Sequence, residues 1–241
     1  MTVVRGMEGF FVFGFGDPAS GIGGLAWDFG EPGALLLTEG KAQSATFALE
    51  EGGDAATLEI TAGDAALEAT VSPRTAEIPL ADTGNLSILV CVADVSPKDG
   101  SESIQCPGQI SRWSADPTEG AGTFRHLAID AGDQSWLVVE SRGEPGAEHG
   151  DEQSSAWTIR GEDDTRFEDT FVSTQYDGED GPTRFGLELW PEEAERASRA
   201  AATRTAAASL GGVRLGGAWA GLFRCETDGI LGLGSYLLWR A

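Results

Sequence analysis

Basic charge is scarce in this sequence. Its 241 residues include 16 Lys and Arg against 39 Asp and Glu, a formal net charge of −23 with histidine neutral. Nucleic acids and anionic membranes attract proteins through clustered basic residues, so we expect neither as a partner. Lysine occurs only at Lys41 and Lys98, and asparagine only at Asn85. This bias is typical of a high-GC bacterial or a salt-adapted proteome, and either source would place the acidity on the solvated surface.

Long apolar runs and export signals are also lacking. No stretch of about 18 apolar residues exists, so we expect no membrane-spanning helix. The aromatic stretch at 10–15 is short, contains glycine and is followed by no small-residue cleavage site, which favours a cytoplasmic protein. The cysteines Cys91, Cys106 and Cys225 have no metal-type spacing, and we expect them to be reduced and packed.

Recognisable catalytic motifs are absent from the sequence. It has no GxSxG nucleophile elbow, no GxxxxGKS/T phosphate loop and no HExxH zinc site. The glycines at 14–24 lie between strand-like segments, so their amides lack the helix N-terminus that holds a pyrophosphate in dinucleotide-binding proteins. We therefore predict no cofactor and no bound metal.

Glycine, in contrast, is abundant and evenly spread. The 34 glycines punctuate short apolar runs along the whole chain, which is typical of an antiparallel β protein with many turns. About fifteen candidate strands exceed one small barrel, so the sequence predicts an all-β antiparallel protein made of two barrel halves or two stacked sheets. We expect an N-terminal β half at 1–107 and a C-terminal β half at 108–241, with one continuous domain as the alternative.

One short helix is predicted near residues 191–209. Pro191 suits a first helical position, and the acidic residues after it suit the positive end of a helix dipole. The alanine-rich stretch that follows has high helix propensity. Its apolar face is almost entirely alanine, so a shorter helix followed by another strand is the alternative.

Two hairpins can be given a register from their turns. Asp228-Gly229 favours a type I′ turn, which makes the numbers of paired residues sum to 457, as 228 and 229 do. Both faces of that ribbon are apolar, so we expect its strands to be central in the fold, with Tyr236 covering the bare backbone of Gly221. The earlier hairpin turns at 131–134, so its pairs should sum to 265, which places Arg125 opposite Glu140.

Two histidines and one glutamate are the catalytic candidates. His149 lies in an acidic segment beside glycine, where it could relay protons, and a solvated surface histidine is the alternative. His126 alternates with apolar residues on a predicted strand, and a hydrogen-bonded core histidine is the alternative there. Glu140 could act as the acid if its strand face turns inward, whereas a structural ion pair with Arg125 is the other interpretation.

Three segments carry a family resemblance. The run Gly108-Gln109-Ile110-Ser111-Arg112-Trp113, then Phe124-Arg125-His126, then Glu148-His149-Gly150-Asp151-Glu152, resembles the lipocalin-like (calycin) superfamily of AttH-type proteins and carotenoid 1,2-hydratases. The likeness covers about the second half of the chain. It implies joined lipocalin-like barrel halves and an apolar cavity in which a terpenoid or polyketide substrate is hydrated, cyclised or isomerised by acid chemistry.

These features predict a protein that binds a small hydrophobic molecule in a β-barrel cavity and converts it by acid-base chemistry. The predicted ligand-binding residues are Trp27, Trp113, Trp136, Trp157 and Arg125. A carrier or accessory binding protein without chemistry is the alternative, and a structural sandwich with a solid core is a third. The substrate and the oligomeric state are left open.

Overall fold

Every regular element of the described chain is a β-strand. The computed structural model describes residues 9–30, 32–38, 41–52, 55–80, 85–147, 150–176, 181–192, 196–203, 212–215 and 218–240. The strands pair antiparallel throughout these residues, which confirms the predicted all-β antiparallel class. The chain divides into two compact units, Met1–Asp116 and Pro117–Ala241.

The first unit is a closed barrel. Its described residues form nine strands: β1 (Phe10–Asp17), β2 (Ile22–Asp28), β3 (Gly33–Thr38), β4 (Lys41–Gly52), β5 (Ala55–Ala62), β6 (Ala65–Pro73), β7 (Ile78–Pro79), β8 (Leu86–Pro97) and β9 (Ile104–Trp113). The sheet order is β6-β5-β4-β3-β2-β1-β9-β8-β7, and pairing of β6 with β8 closes eight strands into a ring. Closure gives each of those eight strands a neighbour on both edges.

The interior of this barrel is apolar. Alternate residues of each strand point inward. On β1 the inward residues include three phenylalanines, namely Phe11, Phe13 and Phe15. Gly24 on β2 faces the same space, where an added Cβ would lie 2.6 Å from the ring of Phe15, so the missing side chain makes room for that ring. Cys91 and Cys106 are buried there as free thiols, as predicted. Burial raises the pKa of both thiols, which keeps them protonated and unreactive.

The second unit contains ten strands in its described residues. These are β10 (Thr123–Gly132), β11 (Ser135–Gly143), β12 (Gln153–Arg160), β13 (Asp163–Arg166), β14 (Asp169–Tyr176), β15 (Pro182–Trp190), β16 (Ser198–Thr203), β17 (Gly212–Leu215), β18 (Ala218–Thr227) and β19 (Ile230–Arg240). The sheet order is β13-β12-β11-β10-β19-β18-β16-β15-β14, and β17 pairs with β18 beside this path.

The two ends of that sheet are joined by one stretch of chain. Between β13 and β14, Phe167 donates its backbone N–H to the carbonyl of Ala156 on β12 at 3.0 Å. The next residue, Glu168, donates to the carbonyl of Trp190 on β15 at 2.8 Å. The chain thus changes partner strand within two residues. No ladder joins β12 to β14 in the described part of the chain, so the second unit is a half-barrel.

The last two strands are central in this half-barrel, as their apolar faces predict. The numbers of paired residues sum to 457, which confirms the predicted register of β18 and β19. Asp228 and Gly229 form the turn, with φ of 48° and 85°. Gly221 does lie opposite Tyr236, but the nearest side-chain atoms above Gly221 belong to the ring of Trp219. Trp219 therefore covers the backbone of Gly221, where the sequence predicts Tyr236 as the covering side chain.

The register of β10 and β11 differs from the predicted one by one residue. Only Asp133 and Gln134 form the turn, with φ of 48° and 59°, and a bulge at 130–132 absorbs the extra residue. Paired residues sum to 266 over most of the ladder, as 126 and 140 do. Glu140 therefore lies opposite His126, and the predicted pairing with Arg125 is wrong.

The predicted helix near 191–209 is wrong where the structure describes that segment. Ser198–Thr203 is strand β16, paired with β15 on one edge and with β18 on the other. Residues 193–195 and 204–209 lie outside the described residues. Alanine favours a helix by less than about 1 kcal/mol per residue, and strand pairing with burial of Ala200 and Ala202 outweighs that preference. The described part of the chain accordingly holds no helix that could span a membrane.

Candidate functional site

Aromatic rings wall the interior of the half-barrel. Phe185 on β15, Trp219 and Phe223 on β18 and Tyr236 on β19 contact one another with ring centroids 5.1 to 5.9 Å apart. We call these four residues the aromatic cluster. Trp219 and Phe223 lie four residues apart in their strand and therefore face the same side of the sheet. Such tilted and edge-to-face pairs each add about 0.5–1.5 kcal/mol to the apolar burial.

A buried ion pair lies on the same inner face. Arg125 is on the face of β10 that carries the core residues Leu127 and Ile129, and Glu152 immediately precedes β12. Arg125 Nη2 donates to Glu152 Oε1 at 2.7 Å, with side chains 1% and 8% exposed. Arg125 Nη1 and the backbone N–H of Gly150 donate to Glu152 Oε2 at 3.4 and 3.2 Å. Taking both charges out of water is costly, so this geometry depends on each partner being present.

The hydroxyl of Tyr236 lies near this ion pair. Arg125 pairs with Leu238 and Leu127 with Tyr236, so Arg125 and Tyr236 are diagonal neighbours on one face of β10 and β19. Tyr236 is fully buried, and its hydroxyl lies within hydrogen-bond reach of the side-chain hydroxyls of Thr174 and Tyr176. Burial raises the pKa of Tyr236, so the O–H remains a donor at neutral pH. We call Arg125, Glu152, Thr174 and Tyr236 the polar cluster.

The described catalytic candidates lie on the opposite face of the same sheet. His126 is fully buried and lies directly across from the half-buried Glu140. Trp136 and Trp157 are buried on that face as well, by strand alternation. Burial lowers the pKa of His126 to about 3, so its imidazole is neutral at pH 7. The structure thus gathers four predicted site residues on one face, the His126 face, and places Arg125 on the other.

The remaining predicted residues are placed elsewhere. Trp27 and Trp113 belong to the first unit and point away from the barrel interior, yet they are only 1% and 4% exposed. The ring of Trp27 packs over Gly33, and that of Trp113 lies 5.4 Å from the ring of Phe29. His149 lies outside the described residues, so its predicted role stays a prediction.

A groove of about 620 Å³ crosses the outer face of the half-barrel. Small residues form its floor, namely Ser173, Gly186 and Ala201. Phe171, 61% exposed, and the Glu188–Arg199 ion pair at 3.6 Å border it. None of the predicted site residues lines this groove. It therefore competes with the half-barrel interior as a place for a ligand.

Sequence reasoning missed Glu152 and Tyr236 as site residues. Glu152 belongs to an acidic segment of the sequence, but strand alternation from Ala156 back through Ser154 points it inward. The tyrosine was interpreted only as a cover for a glycine. Within the described residues, no three histidine, cysteine, aspartate or glutamate side chains lie close enough together to hold a metal ion.

Comparison with known proteins gives structural relatives alone. No family model matches the sequence, and no curated protein does either. An AttH-type crystal structure from Nitrosomonas europaea matches with a TM-score of 0.60 at 14% identity, over 95% of this chain and 90% of that one. CghA, crystallised with Sch210972 and also in a second structure, matches with TM-scores of 0.55 at 10% and 9% identity, over 96% of this chain and 87% of CghA. Identities this low establish a shared fold, and the fold expected from the AttH resemblance is confirmed.

Proposed function

We propose that this protein binds a small hydrophobic molecule, terpenoid-like or polyketide-like, in the interior of its half-barrel. The observation that carries the proposal is the polar cluster beside the aromatic cluster. There the fully buried hydroxyl of Tyr236 lies within hydrogen-bond reach of Thr174 and Tyr176, near an ion pair that is also buried. A polar group on a ligand in this interior could hydrogen-bond to these side chains.

Simple energetics set the expected affinity. A ligand that buries about 400 Å² of apolar surface gains about 10 kcal/mol at 25 cal/mol per Å². Lost translational and rotational freedom costs at least about 4 kcal/mol. The difference corresponds to a dissociation constant in the micromolar range or weaker. The fold shared with CghA, which has been crystallised with Sch210972, is consistent with such binding.

The purified protein should retain lipophilic compounds from a cell extract, identified by mass spectrometry after washing. Ala202 points inward beside the aromatic cluster, whereas its neighbour Ala201 lines the outer groove. Ala202→Leu should reduce retention at least about tenfold, because the added volume takes ligand space, while overpacking costs only about 1–3 kcal/mol of stability. Ala201→Leu is the matched control and should retain the wild-type amount.

The opposite pattern would overturn the proposal. Loss of retention in Ala201→Leu, with Ala202→Leu unaffected, would place the ligand in the outer groove. Circular dichroism of both variants checks that each is folded. Absence of any retained compound from the wild-type protein would favour the structural sandwich instead.

A second candidate function is acid-base conversion on the His126 face. The observation that favours it is the direct cross-strand pairing of His126 with Glu140 among buried apolar residues. Glu140 would protonate an alkene or a carbonyl oxygen of the substrate, and the neutral imidazole of His126 would orient that carboxyl group. This candidate places the reacting molecule against the His126 face instead of in the half-barrel interior.

Glu140→Gln tests this conversion. The amide keeps the size of the side chain but cannot donate a carboxylic proton, so turnover of a substrate found in the extract should fall at least about 100-fold. Circular dichroism should show the same fold. Product formation is followed by liquid chromatography and mass spectrometry, and unchanged turnover in the variant would exclude Glu140 as the acid.

A further inference from the structure

We infer that the outer groove of the half-barrel binds an extended segment of a partner protein, and that this segment carries apolar side chains and one basic side chain. This surface site is separate from the interior site of the proposed function, which concerns a small molecule. Three features of the described residues point to it. They are a floor of small residues, exposed apolar side chains at both ends, and carboxylates that form no ion pair.

One row of small residues forms the floor of the groove. Ser173 pairs with Gly186 and Gly186 with Ala201, so the three lie side by side on β14, β15 and β16. The same row continues to Glu226 on β18 and to Leu231 on β19. Because neighbouring strands lie about 4.8 Å apart, the row spans about 19 Å from β14 to β19. The groove therefore runs across the strands instead of along them.

Exposed apolar side chains lie at both ends of this row. Phe171, two residues before Ser173 on β14, is 61% exposed, and Leu231 is 70% exposed. Ile230 is the one other large apolar side chain exposed in the described part of the chain, and it lies on the opposite face against Gly132. Exposed apolar area gathered on one face marks a contact surface. An extended chain rises about 3.3 Å per residue, so six or seven residues would reach from one end to the other.

The groove carries uncompensated negative charge. Its described lining residues include three carboxylates, namely Glu188, Glu226 and Asp228, and one guanidinium, that of Arg199. Arg199 pairs with Glu188 at 3.6 Å, whereas Glu226 and Asp228 form no ion pair with any described residue. A basic side chain of the partner would pair favourably with them. A second copy of this chain would bring its own net charge of −23 and be repelled, which favours a basic partner.

The spacing of the row sets the pattern of the partner segment. In an extended chain every second side chain points the same way, and these side chains lie about 6.7 Å apart. A segment laid across the strands would place its first residue against Phe171 and its third on the small floor. Its fifth residue would lie beside Glu226 and its seventh against Leu231. The predicted segment is therefore apolar at positions one, three and seven and carries arginine or lysine at position five.

Three peptides with capped ends test the inference by isothermal titration calorimetry at pH 7.5. The first has the predicted pattern, Leu-Ser-Leu-Ser-Arg-Ser-Leu, and should bind with a dissociation constant below about 1 mM. The second has glutamate in place of arginine and should bind at least about tenfold more weakly, because attraction to the groove becomes repulsion. The third has serine in place of all three leucines and should not bind measurably, since the apolar contacts are lost.

Variants of the protein locate the bound peptide. Ala201→Arg fills the floor beside Glu226 and should weaken binding of the arginine peptide at least about tenfold. Glu226→Gln removes one carboxylate of the groove and should weaken it about two- to fivefold. Glu162→Gln is the matched control, because it removes an exposed carboxylate in the turn between β12 and β13 and should keep the wild-type affinity. Ala202→Leu alters the interior and should also keep it.

Four results would overturn this assignment of the groove. The first is no binding of the arginine peptide to the wild type. The second is equal or tighter binding of the glutamate peptide, which would mean that Arg184 and Arg224, on the next row of the same face, set the charge. The third is unchanged affinity in Ala201→Arg, which would place the peptide elsewhere. The fourth is a wild-type dimer in sedimentation analysis that Ala201→Arg dissociates, which would give the face to a second copy.

The two proposals fail independently of each other. Ala201 and Glu226 are exposed, so both groove variants should melt near the wild-type temperature, and thermal unfolding checks this. Retention of lipophilic compounds depends on Ala202 in the interior, whereas peptide binding depends on Ala201 in the groove. A protein that binds the peptide but retains no lipophilic compound would keep the groove site and lose the proposed function, and the reverse result would do the opposite.

Discussion

Glu152→Gln should lower the free energy of unfolding of the second unit by about 3–5 kcal/mol. The substitution removes the negative charge that neutralises Arg125, whose side chain is only 1% exposed. Breaking a buried ion pair from one side leaves an uncompensated charge in a medium that solvates it poorly. Single domains are stable by only about 5–15 kcal/mol, so much of the margin would be lost. Urea unfolding at pH 7.5, followed by tryptophan fluorescence, measures the effect.

Two further variants show whether charge burial is the cause. Arg125→Met combined with Glu152→Leu removes both charges and should be more stable than Glu152→Gln alone. Arg160→Gln breaks an exposed pair with Asp133, at 3.6 Å and with side chains 70% and 82% exposed, and should cost less than about 1 kcal/mol. A cost below about 1 kcal/mol for Glu152→Gln would mean that the pair is solvated, and the description of the polar cluster would fail.

Acidification should destabilise the wild-type protein through His126. Burial lowers the pKa of His126 in the folded state to about 3, whereas an unfolded histidine titrates near 6.5. Below pH 6.5 the unfolded chain therefore binds a proton that the folded chain does not, and stability falls by about 1.4 kcal/mol per pH unit. Between pH 6.5 and pH 4.5 this amounts to about 3 kcal/mol. Above pH 6.5 the folded protein has the full stability contribution of the neutral His126 side chain.

His126→Gln should remove this part of the pH dependence. The comparison uses the slope of the unfolding free energy against pH, measured in urea from pH 7.5 to pH 4.5, because the substitution also shifts the absolute stability. Carboxylates titrate in both proteins, so their effect on the slope cancels when the two slopes are subtracted. His149→Gln separates the contribution of the other histidine. Equal slopes for the wild type and His126→Gln would show that the imidazole is accessible to protons in the folded protein.

The local sequence pattern predicted the C-terminal hairpin correctly. Its two-residue turn allows only one register between the two strands, and their two apolar faces indicate that both strands are buried. The Asp228-Gly229 turn fixes the pairing of β18 with β19, and their two apolar faces require a central position. In the hairpin of β10 and β11, by contrast, a bulge beside the turn changed the pairing by one residue. One residue is enough to exchange Arg125 for His126 as the partner of Glu140.

The site was harder to predict than the fold. Arg125 is predicted to contact a ligand, and the structure shows that it pairs with Glu152, 27 positions away in the sequence. Strand alternation points Glu152 inward, but nothing local identifies Arg125 as its partner. Its role depends on β11 and β12 lying side by side next to β10, which brings the start of β12 to the start of β10. The pairing of β10 with β19 likewise places Tyr236 on the same face as Arg125.

The sequence by itself determined the all-β antiparallel class, the Asp228-Gly229 turn and the charge, because each depends on neighbouring residues or on composition alone. The tertiary structure decided that Ser198–Thr203 is a strand, since the edges of β15 and β18 outweigh the helix preference of alanine. It also decided which polar groups are buried together. Burial and cross-strand pairing depend on residues that are distant in the chain. The free energy of these contacts therefore cannot be read from a local sequence pattern.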